Sequence, residues 1–487
     1  MKNKSLGLNA FLNGLKSTLN LLFPLITFPY VSRVLGVKGI GVYNYSNSIV
    51  SYFLLIAALG ISTYAIREGA KYRDDKKQIN EFASEIFTIN ICSTLVSYIL
   101  LFACLIIFTN LHDYVSCILI FSVQIFFTTL GMDWVYSIYE DYAYITVRSI
   151  SFQIISLILL FIFVRSKNDY LNYAIITVFS SVGSNIFNFV HARMFVKVKL
   201  TWDIPWKHHL LPIFIIFASN VAIMVFVNSD ITILGIMKNT YVVGLYSVAA
   251  KVYSIIKKLL ASLLIVTVPR LAMLMGKRRM NEYNKILTKV INMLLLFTLP
   301  AMTGLFMLSK EVVLIISGRS FLAATPSLQI LCFALIFSLF SWVMSDCVLI
   351  PIKREKFVLI GTVISAIINI CLNLILIPFW SEKAAALSTV AAEASMMISN
   401  LYFSRDIISK IIKSGNFRNN LLSSLLGCSG IVLICWLCDI GWESFFLKTL
   451  FSIILSVVIY GAILIFLNNA TIISIMKGIK NKFIKYK

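Results

Sequence analysis

The sequence predicts an all-α protein that crosses a membrane many times, and three observations support this fold class. Hydrophobic residues make up 59% of the 487 residues, whereas soluble domains contain roughly 45–50%. Only 13% of the residues are charged, which is about half the share found in soluble domains. The apolar residues also fall into runs of about 20, the length that a helix needs to cross a bilayer.

Counting these apolar runs gives about 14 transmembrane helices. The predicted spans are 10–35, 40–66, 81–108, 113–137, 143–165, 170–195, 210–237, 241–268, 284–308, 321–350, 356–378, 384–404, 418–440 and 446–468. The first run is predicted to be retained, because it lacks a short apolar core followed by a small-residue cleavage site. An even number of spans would place both termini on the same side of the membrane.

The distribution of positive charge predicts which side that is. The chain carries a formal net charge of +22, but the lysines and arginines lie between apolar runs and not in one basic domain, so no nucleic-acid partner is expected. About 29 of them flank the spans on one side and about eight on the other, and cytoplasmic loops carry the excess in membrane proteins. We therefore predict a multi-pass protein of the cytoplasmic membrane with both termini in the cytoplasm. The basic tail, 477–487, is expected to contact anionic lipids.

A polar connection and a weak internal repeat predict the domain organisation. The first half contains Leu35-Gly36 followed by Gly41-Val-Tyr43, and the second half contains Leu234-Gly235 followed by Gly244-Leu-Tyr246. Paired repeats are a common plan in transporters, with the substrate site between the halves. The predicted domains are an N-terminal lobe of helices 1–6 at 1–196, a cytoplasmic linker at 197–209, a C-terminal lobe of helices 7–12 at 210–404, and two additional helices with the basic tail at 405–487.

Three lysines in the eighth predicted span need an explanation, because a cation in the middle of a bilayer costs at least about 2.5–3.5 kcal/mol. Lys251 and Lys258 are seven residues apart and share a helix face, whereas Lys257 points about 120° away. Lys257 and Lys258 lie close enough to the inner interface for their ammonium groups to snorkel to the headgroups. Lys251 is too deep for that, so it either lines a water-filled cavity or pairs with a helix carboxylate.

Other charges within the spans raise the same question. The acids either pair with the lysines or bind a coupling proton or sodium ion; they are Asp133, Asp230, Asp346 and Glu393. Arginines nearer the span ends either anchor the interface or line the cavity. Together with Lys251 and Lys258, the cationic cavity candidates are Lys16, Arg33, Arg67 and Arg148.

No motif for an enzyme, a cofactor or a metal is found. The sequence lacks a Walker loop of the form G-x4-G-K-[ST]. The pair Cys435 and Cys438 has the spacing of a redox or zinc pair, but it lies in an apolar helix without a second pair. His208 and His209 have no carboxylate or cysteine at ligand spacing. The outer loops are short, which argues against a polymerase with an external catalytic domain.

Two stretches resemble the Wzx-type flippases of bacterial O-antigen, capsule and exopolysaccharide units. They are "FPLITFPYVSRVLGVKGIGVYNYSNSIVSYFLLIAALGISTYAIREGAKYRDD" at 23–75, and "NSDITILG" at 228–235 followed by "VGLYSVAAKVYSI" at 243–255. The resemblance implies membership in the multidrug/oligosaccharidyl-lipid/polysaccharide flippase superfamily. It also implies two six-helix lobes around a V-shaped central cavity, followed by two extra helices.

The same resemblance implies a function and partners. The expected substrate is an undecaprenyl-diphosphate-linked oligosaccharide, which is exported by alternating access. The other expected partners are membrane lipids, a polysaccharide polymerase and chain-length machinery. The family's cavity cations correspond to Arg33 in "VSRVLG" and Lys251 in "AAKVYS". The alternative is a drug or metabolite cation antiporter of the same superfamily, which would favour acids over cations in its cavity.

Overall fold

The computed structural model describes residues 6–441 and 444–474, with side chains from residue 23 onward except at 263–265. Within these ranges the regular structure is helical and there is no strand. Eleven helical stretches of the described residues are long and apolar enough to cross a membrane. The predicted all-α, multi-span membrane fold is therefore confirmed.

The helices follow one another with short connections. In the first half they are α1 (Leu6–Ala58), α2 (Ile61–Tyr72), α3 (Lys76–Ile107), α4 (Val115–Gly131), α5 (Asp133–Ile138), α6 (Tyr142–Phe163), α7 (Tyr170–Val182), α8 (Asn185–Ala192), α9 (Trp206–Met237) and α10 (Thr240–Ile265). In the second half they are α11 (Val268–Gly276), α12 (Met280–Met307), α13 (Ser309–Ser317), α14 (Thr325–Trp342), α15 (Glu355–Phe403), α16 (Arg405–Ile412), α17 (Gly415–Gly441) and α18 (Phe445–Phe466).

Helices α1 and α15 each consist of two consecutive helices joined at a kink. In α1 the kink is at Gly36, which has a φ of 67°. Glycine adopts this positive φ easily because it has no Cβ. In α15 it is at Ser381, with φ 51°. Helix α10 is not among the eleven, because its lysines lower its apolar character. The count of 14 spans stays a prediction.

Contacts divide the chain into two compact units, Met1–Ser247 and Val248–Lys487. In the first unit, α1 packs against α3, α4, α6 and α9. The division falls within α10, whereas the boundaries predicted from the sequence lie at 196, 209 and 404. Those domain boundaries stay predictions.

The glycines of the internal repeat form a close helix crossing within the first unit. A Cβ on Gly41 would lie 1.7 Å from the carbonyl oxygen of Thr240, and one on Gly244 would lie 2.1 Å from that of Val37. Each motif glycine thus meets the backbone of the segment that carries the other. The tyrosines that follow are also engaged: Tyr43 donates a hydrogen bond to Thr177 Oγ1 at 3.2 Å.

The polar connection after α8 runs along α3 in the first unit. Backbone N–H groups of Lys197, Lys199 and Thr201 donate to Asn80 Oδ1, Ser84 Oγ and Thr88 Oγ1 at 2.7, 3.1 and 3.2 Å. Two extended residues advance about 6.6 Å, and four helical residues advance about 6 Å. The two advances are nearly equal, so every second backbone N–H of the connection meets a side chain one turn further along α3.

In the second unit, α12 packs against α17, and α17 packs against α18. Tyr460 of α18 donates a hydrogen bond to the carbonyl oxygen of Leu296 at 2.8 Å. Lys448 Nζ lies 3.1 Å from Oε1 of the buried Glu311 on α13. These contacts hold the last two helices against the rest of the unit.

Two glycines of α17, Gly427 and Gly430, lie at its contact with α18. A Cβ on Gly427 would lie 2.5 Å from the Tyr460 ring, and one on Gly430 would lie 2.7 Å from Ile463. A tryptophan at either position would therefore separate the helix pair.

Candidate functional site

Asp133 and Arg148 form a polar cluster at the start of α5. Met132, with φ 45°, breaks the chain between α4 and α5 and makes Asp133 the first residue of a new helix. Arg148 Nη2 of α6 lies 3.7 Å from Asp133 Oδ1, and its side chain is only 9% exposed. Asn188 of α8 donates to the same carboxylate oxygen at 2.6 Å. Of the two readings for Asp133, the contact favours the structural ion pair.

Arg148 is incompletely satisfied in this cluster. Its Nε and Nη1 atoms are buried without a hydrogen-bond partner among the described residues. The guanidinium carbon lies 6.0 Å from the ring centre of Tyr144, within the range of a cation–π contact. Buried unsatisfied donors are uncommon and mark places where water or a ligand contributes. Arg148 therefore stays a candidate for contact with an anion.

Asp230 is held by a tyrosine of the internal repeat. The carboxylate lies in α9, is 4% exposed, and accepts a short hydrogen bond from the Tyr246 hydroxyl. Tyr246 belongs to the second Gly-x-Tyr motif, so the repeat supplies a partner for this buried acid.

Glu393 of α15 pairs with a lysine of α10 in the second unit. Lys257 Nζ lies 2.8 Å from Glu393 Oε1, and the carboxylate is 6% exposed. The Tyr253 hydroxyl donates to the same oxygen at 3.1 Å. Tyr253 and Lys257 are four residues apart and so share a helix face. This contact favours an internal ion pair for Lys257 over snorkelling to the inner headgroups.

Asp346 lies where α14 passes into a π-helical turn, Val343–Leu349. The carboxylate is partly exposed and accepts a hydrogen bond from Ser345 Oγ at 2.8 Å. Among the described residues no lysine or arginine lies within ion-pair distance of it. Short π-helical turns occur frequently at functional sites, so Asp346 is the predicted acid that best fits an ion-binding role.

The remaining cationic candidates differ in their surroundings. Lys251 is half-buried and Lys258 is exposed on α10, and Arg33 is exposed three residues before the kink of α1. Arg67 Nε donates to Glu68 Oε1 at 3.1 Å, with the arginine side chain 59% exposed. This contact fits an interfacial anchor for Arg67. The side chain of Lys16 lies outside the described residues.

One member of the cysteine pair and one of the histidine pair make internal contacts. Cys435 Sγ lies 3.7 Å from Ser456 Oγ, so it contacts α18. His209, 2% exposed, bridges Tyr64 at 2.8 Å and Glu85 at 2.9 Å. Among the described residues no group of histidines, cysteines and acids is arranged to hold a metal.

The sequence identified the charged residues within the spans but not the side chains that pair with them. Tyr253 could have been found from its i, i+4 spacing to Lys257. Asn188 and Glu85 carry no comparable signal, because they meet Asp133 and His209 only through the tertiary packing of separate helices.

A sequence family described as "Polysaccharide biosynthesis protein" matches residues 6–275. The chain belongs to this family. The matched region includes Arg33, Arg148 and Lys251, whereas Asp346 and Glu393 lie beyond it. The family therefore covers the first unit and the lysine-bearing helix α10.

Relatives and solved structures extend the similarity. A candidate O-antigen transporter of Escherichia coli (strain K12) is 23% identical over 256 residues, which cover 52% of this chain and 61% of that protein. A candidate O-antigen transporter of Shigella dysenteriae is 22% identical over 385 residues, covering 78% of this chain and 95% of that protein. The chain thus matches less than two thirds of the length of the Escherichia coli relative.

Among solved structures, lipid II flippase MurJ in an inward closed conformation is similar with a TM-score of 0.73 and 17% identity, covering 94% of this chain and 98% of that one. An inward-facing multidrug resistance transporter of the MATE family in the MOP superfamily is similar with a TM-score of 0.60 and 14% identity, covering 81% and 96%. At these identities the likeness shows the fold alone, which this chain shares with both solved structures.

Proposed function

We propose that this member of the polysaccharide biosynthesis family is a flippase of the bacterial cytoplasmic membrane. It exports undecaprenyl-diphosphate-linked oligosaccharide repeat units by alternating access, for the synthesis of O antigen, capsule or exopolysaccharide. It acts as a transporter and not as an enzyme, upstream of a polysaccharide polymerase and its chain-length machinery. The observation that carries this proposal is the half-buried Lys251 on α10, within the region that the family matches.

The chemistry of the substrate fits a cation at the position of Lys251. A lysine within an apolar helix is expensive unless it meets an opposite charge or water. A diphosphate carries two negative charges, and its attraction to a cation grows as the local dielectric constant falls. Lys258 on the same helix face, Arg33 and the incompletely satisfied Arg148 are further candidates for contact with this group.

The state of the acids weakens the alternative of a cation antiporter. A cationic drug would need an accessible carboxylate. Asp133 meets Arg148, Asp230 accepts from Tyr246, and Glu393 meets Lys257. Asp346 has only Ser345 as a hydrogen-bond partner among the described residues, and Asp133 keeps 56% of its side chain exposed, so the alternative depends on these two positions.

Complementation of a flippase-deficient strain tests the proposal, scored by surface polysaccharide and by accumulated lipid-linked unit. Lys251→Ala should abolish export at normal protein levels, and Lys251→Arg should retain part of it because the charge is kept. The matched control is Lys277→Ala, an exposed lysine in the connection between α11 and α12, which should leave export unchanged. Wild-type export by Lys251→Ala would contradict the role of this lysine.

A second measurement separates the two functions. If the chain is a cation antiporter, cells that express it should extrude a cationic dye, and Asp346→Asn should abolish that extrusion. The flippase proposal expects no dye extrusion and an accumulated lipid-linked unit when the gene is deleted.

A further inference from the structure

A polar pocket lies where the start of α17 meets the end of α18. Its volume is about 220 Å³, and ten residues line it. Half of them are asparagines, and none of these ten is charged: the asparagines are Asn416, Asn419, Asn420, Asn468 and Asn469. So many neutral amides around one small space are unusual at the end of a membrane helix, where charged residues are the common choice.

Two of the asparagines fix the shape of the pocket. Asn420 Nδ2 donates to Thr471 Oγ1 at 3.0 Å, and Asn469 Nδ2 donates to Ser423 Oγ at 2.7 Å. Both asparagines are buried, at 3% and 5% exposure. Asn469 Oδ1 also accepts the backbone N–H of Thr471 at 3.1 Å. These bonds tie the end of α18 to the start of α17, so the pocket is preformed.

The other three asparagines, Asn416, Asn419 and Asn468, are exposed at the pocket. An amide side chain both donates and accepts hydrogen bonds, as a hydroxyl group does. A phosphate would favour arginine or lysine, and a quaternary ammonium head would favour an aromatic cage. The lining therefore matches a group rich in hydroxyls.

Three leucines with exposed side chains form an apolar part of the pocket wall. Leu422 and Leu426 of α17 are each 54% exposed, and Leu467 after α18 is 40% exposed. These leucines continue the outward apolar surface of a helix that is long enough to cross a membrane. The volume holds about seven waters, at roughly 30 Å³ each. It therefore suits one sugar or glycerol head and leaves an attached chain to lie along the leucines.

We propose that this pocket binds the hydroxyl-rich head of a lipid, a single glycosyl or glycerol group, with the acyl or prenyl chain against Leu422 and Leu426. Two sources share this chemistry: a glycolipid of the bilayer, and the first sugar of a polyprenyl-linked saccharide. The inference does not depend on the proposed transport function, because it concerns binding at a site within one helix pair.

Native mass spectrometry of the purified full-length protein tests the inference. Three probes are offered at equal concentration: monoglucosyl diacylglycerol, undecaprenyl phosphate glucose, and phosphatidylcholine as the head group without hydroxyls. At least one glucosyl lipid should be retained roughly tenfold more than phosphatidylcholine, because several hydrogen bonds distinguish the heads. Retention of only the diacylglycerol form identifies the bilayer as the source, and retention of only the prenyl form identifies the saccharide carrier. Equal retention of all three probes would overturn the proposal.

Variants locate the binding. Asn419→Leu combined with Asn468→Leu should remove the preference for glucosyl lipid, whereas Ser429→Leu, an exposed position of α17 outside the pocket, should keep it. An unchanged preference in the double variant would also contradict the site. A photoreactive glucosyl lipid provides a test that needs no variant. It should label the wild-type peptide 416–426, and labelling confined to other peptides would refute the assignment.

Discussion

At the scale of single residues, the charges within the membrane spans differ in whether another side chain of the protein pairs with them. Glu393 meets Lys257 at 2.8 Å and Tyr253 at 3.1 Å. Asp133 meets Arg148 and Asn188. These acids are parts of internal networks, in which the loss of one member exposes the desolvation cost of the other. A charge that is held in such a network is thus not by itself evidence of contact with substrate.

The pair of Lys257 and Glu393 predicts a structural role for Lys257. Lys257→Met should destabilise the protein by about 3–5 kcal/mol, because it leaves Glu393 buried without its counter-charge. The double variant Lys257→Met with Glu393→Leu should recover most of this stability. Lys258→Met is the neighbouring control, since Lys258 is exposed. Thermal unfolding of the purified proteins in detergent measures the effect, and equal losses for the two single variants would contradict the pairing.

The same residues show what sequence can and cannot predict about the site. Composition and span length identify which charges are buried deeply enough to need an explanation. The partner of each charge depends on which helices pack together, and the spacing of residues along the sequence does not predict this packing. For this reason Lys251 and Lys257 could be separated by helix face, but Glu393 could not be assigned to either.

At the scale of elements, the Gly-x-Tyr repeat gains a physical reason. Gly41 and Gly244 lie where two segments cross with their backbones in contact, and any larger residue would hold those backbones apart. The sequence predicted that the two motifs correspond but gave no sign that they touch. The contact between α3 and the polar connection at 197–201 could not be predicted either, because serine, threonine and asparagine on one helix face are common in other contexts.

We expect the crossing to be intolerant of a single added methyl group. Gly41→Ala or Gly244→Ala places a Cβ within 2.1 Å of a backbone oxygen, and such overpacking costs about 1–3 kcal/mol. Gly304→Ala in α12 is the control, because nothing lies within 4 Å of that Cβ and alanine favours a helix. Melting temperatures in detergent should fall for the first two variants and not for the control. Three equal melting temperatures would show that the crossing is not tightly packed.

At the scale of the whole molecule, the fold class was predictable because every helix that crosses a bilayer needs a long apolar segment. An apolar run of about 20 residues is a strong signal, and eleven such helices are present among the described residues. Helix α10 carries that signal more weakly than the other predicted spans. Its three lysines lower its hydropathy, although the helix covers 26 residues, or about 39 Å at 1.5 Å per residue.

Whether α10 crosses the membrane decides the orientation of everything after it. Asn239 precedes α10, and Lys277 follows α11; both are exposed. The charge asymmetry predicts Lys277 inside and Asn239 outside, and about 39 Å of helix is enough for a hydrocarbon core of about 30 Å. In a background without the nine native cysteines, an impermeant maleimide applied to spheroplasts should label Asn239→Cys. It should label Lys277→Cys only after permeabilisation. Labelling of both from outside would mean that α10 does not cross, and the reverse pattern would invert the predicted topology.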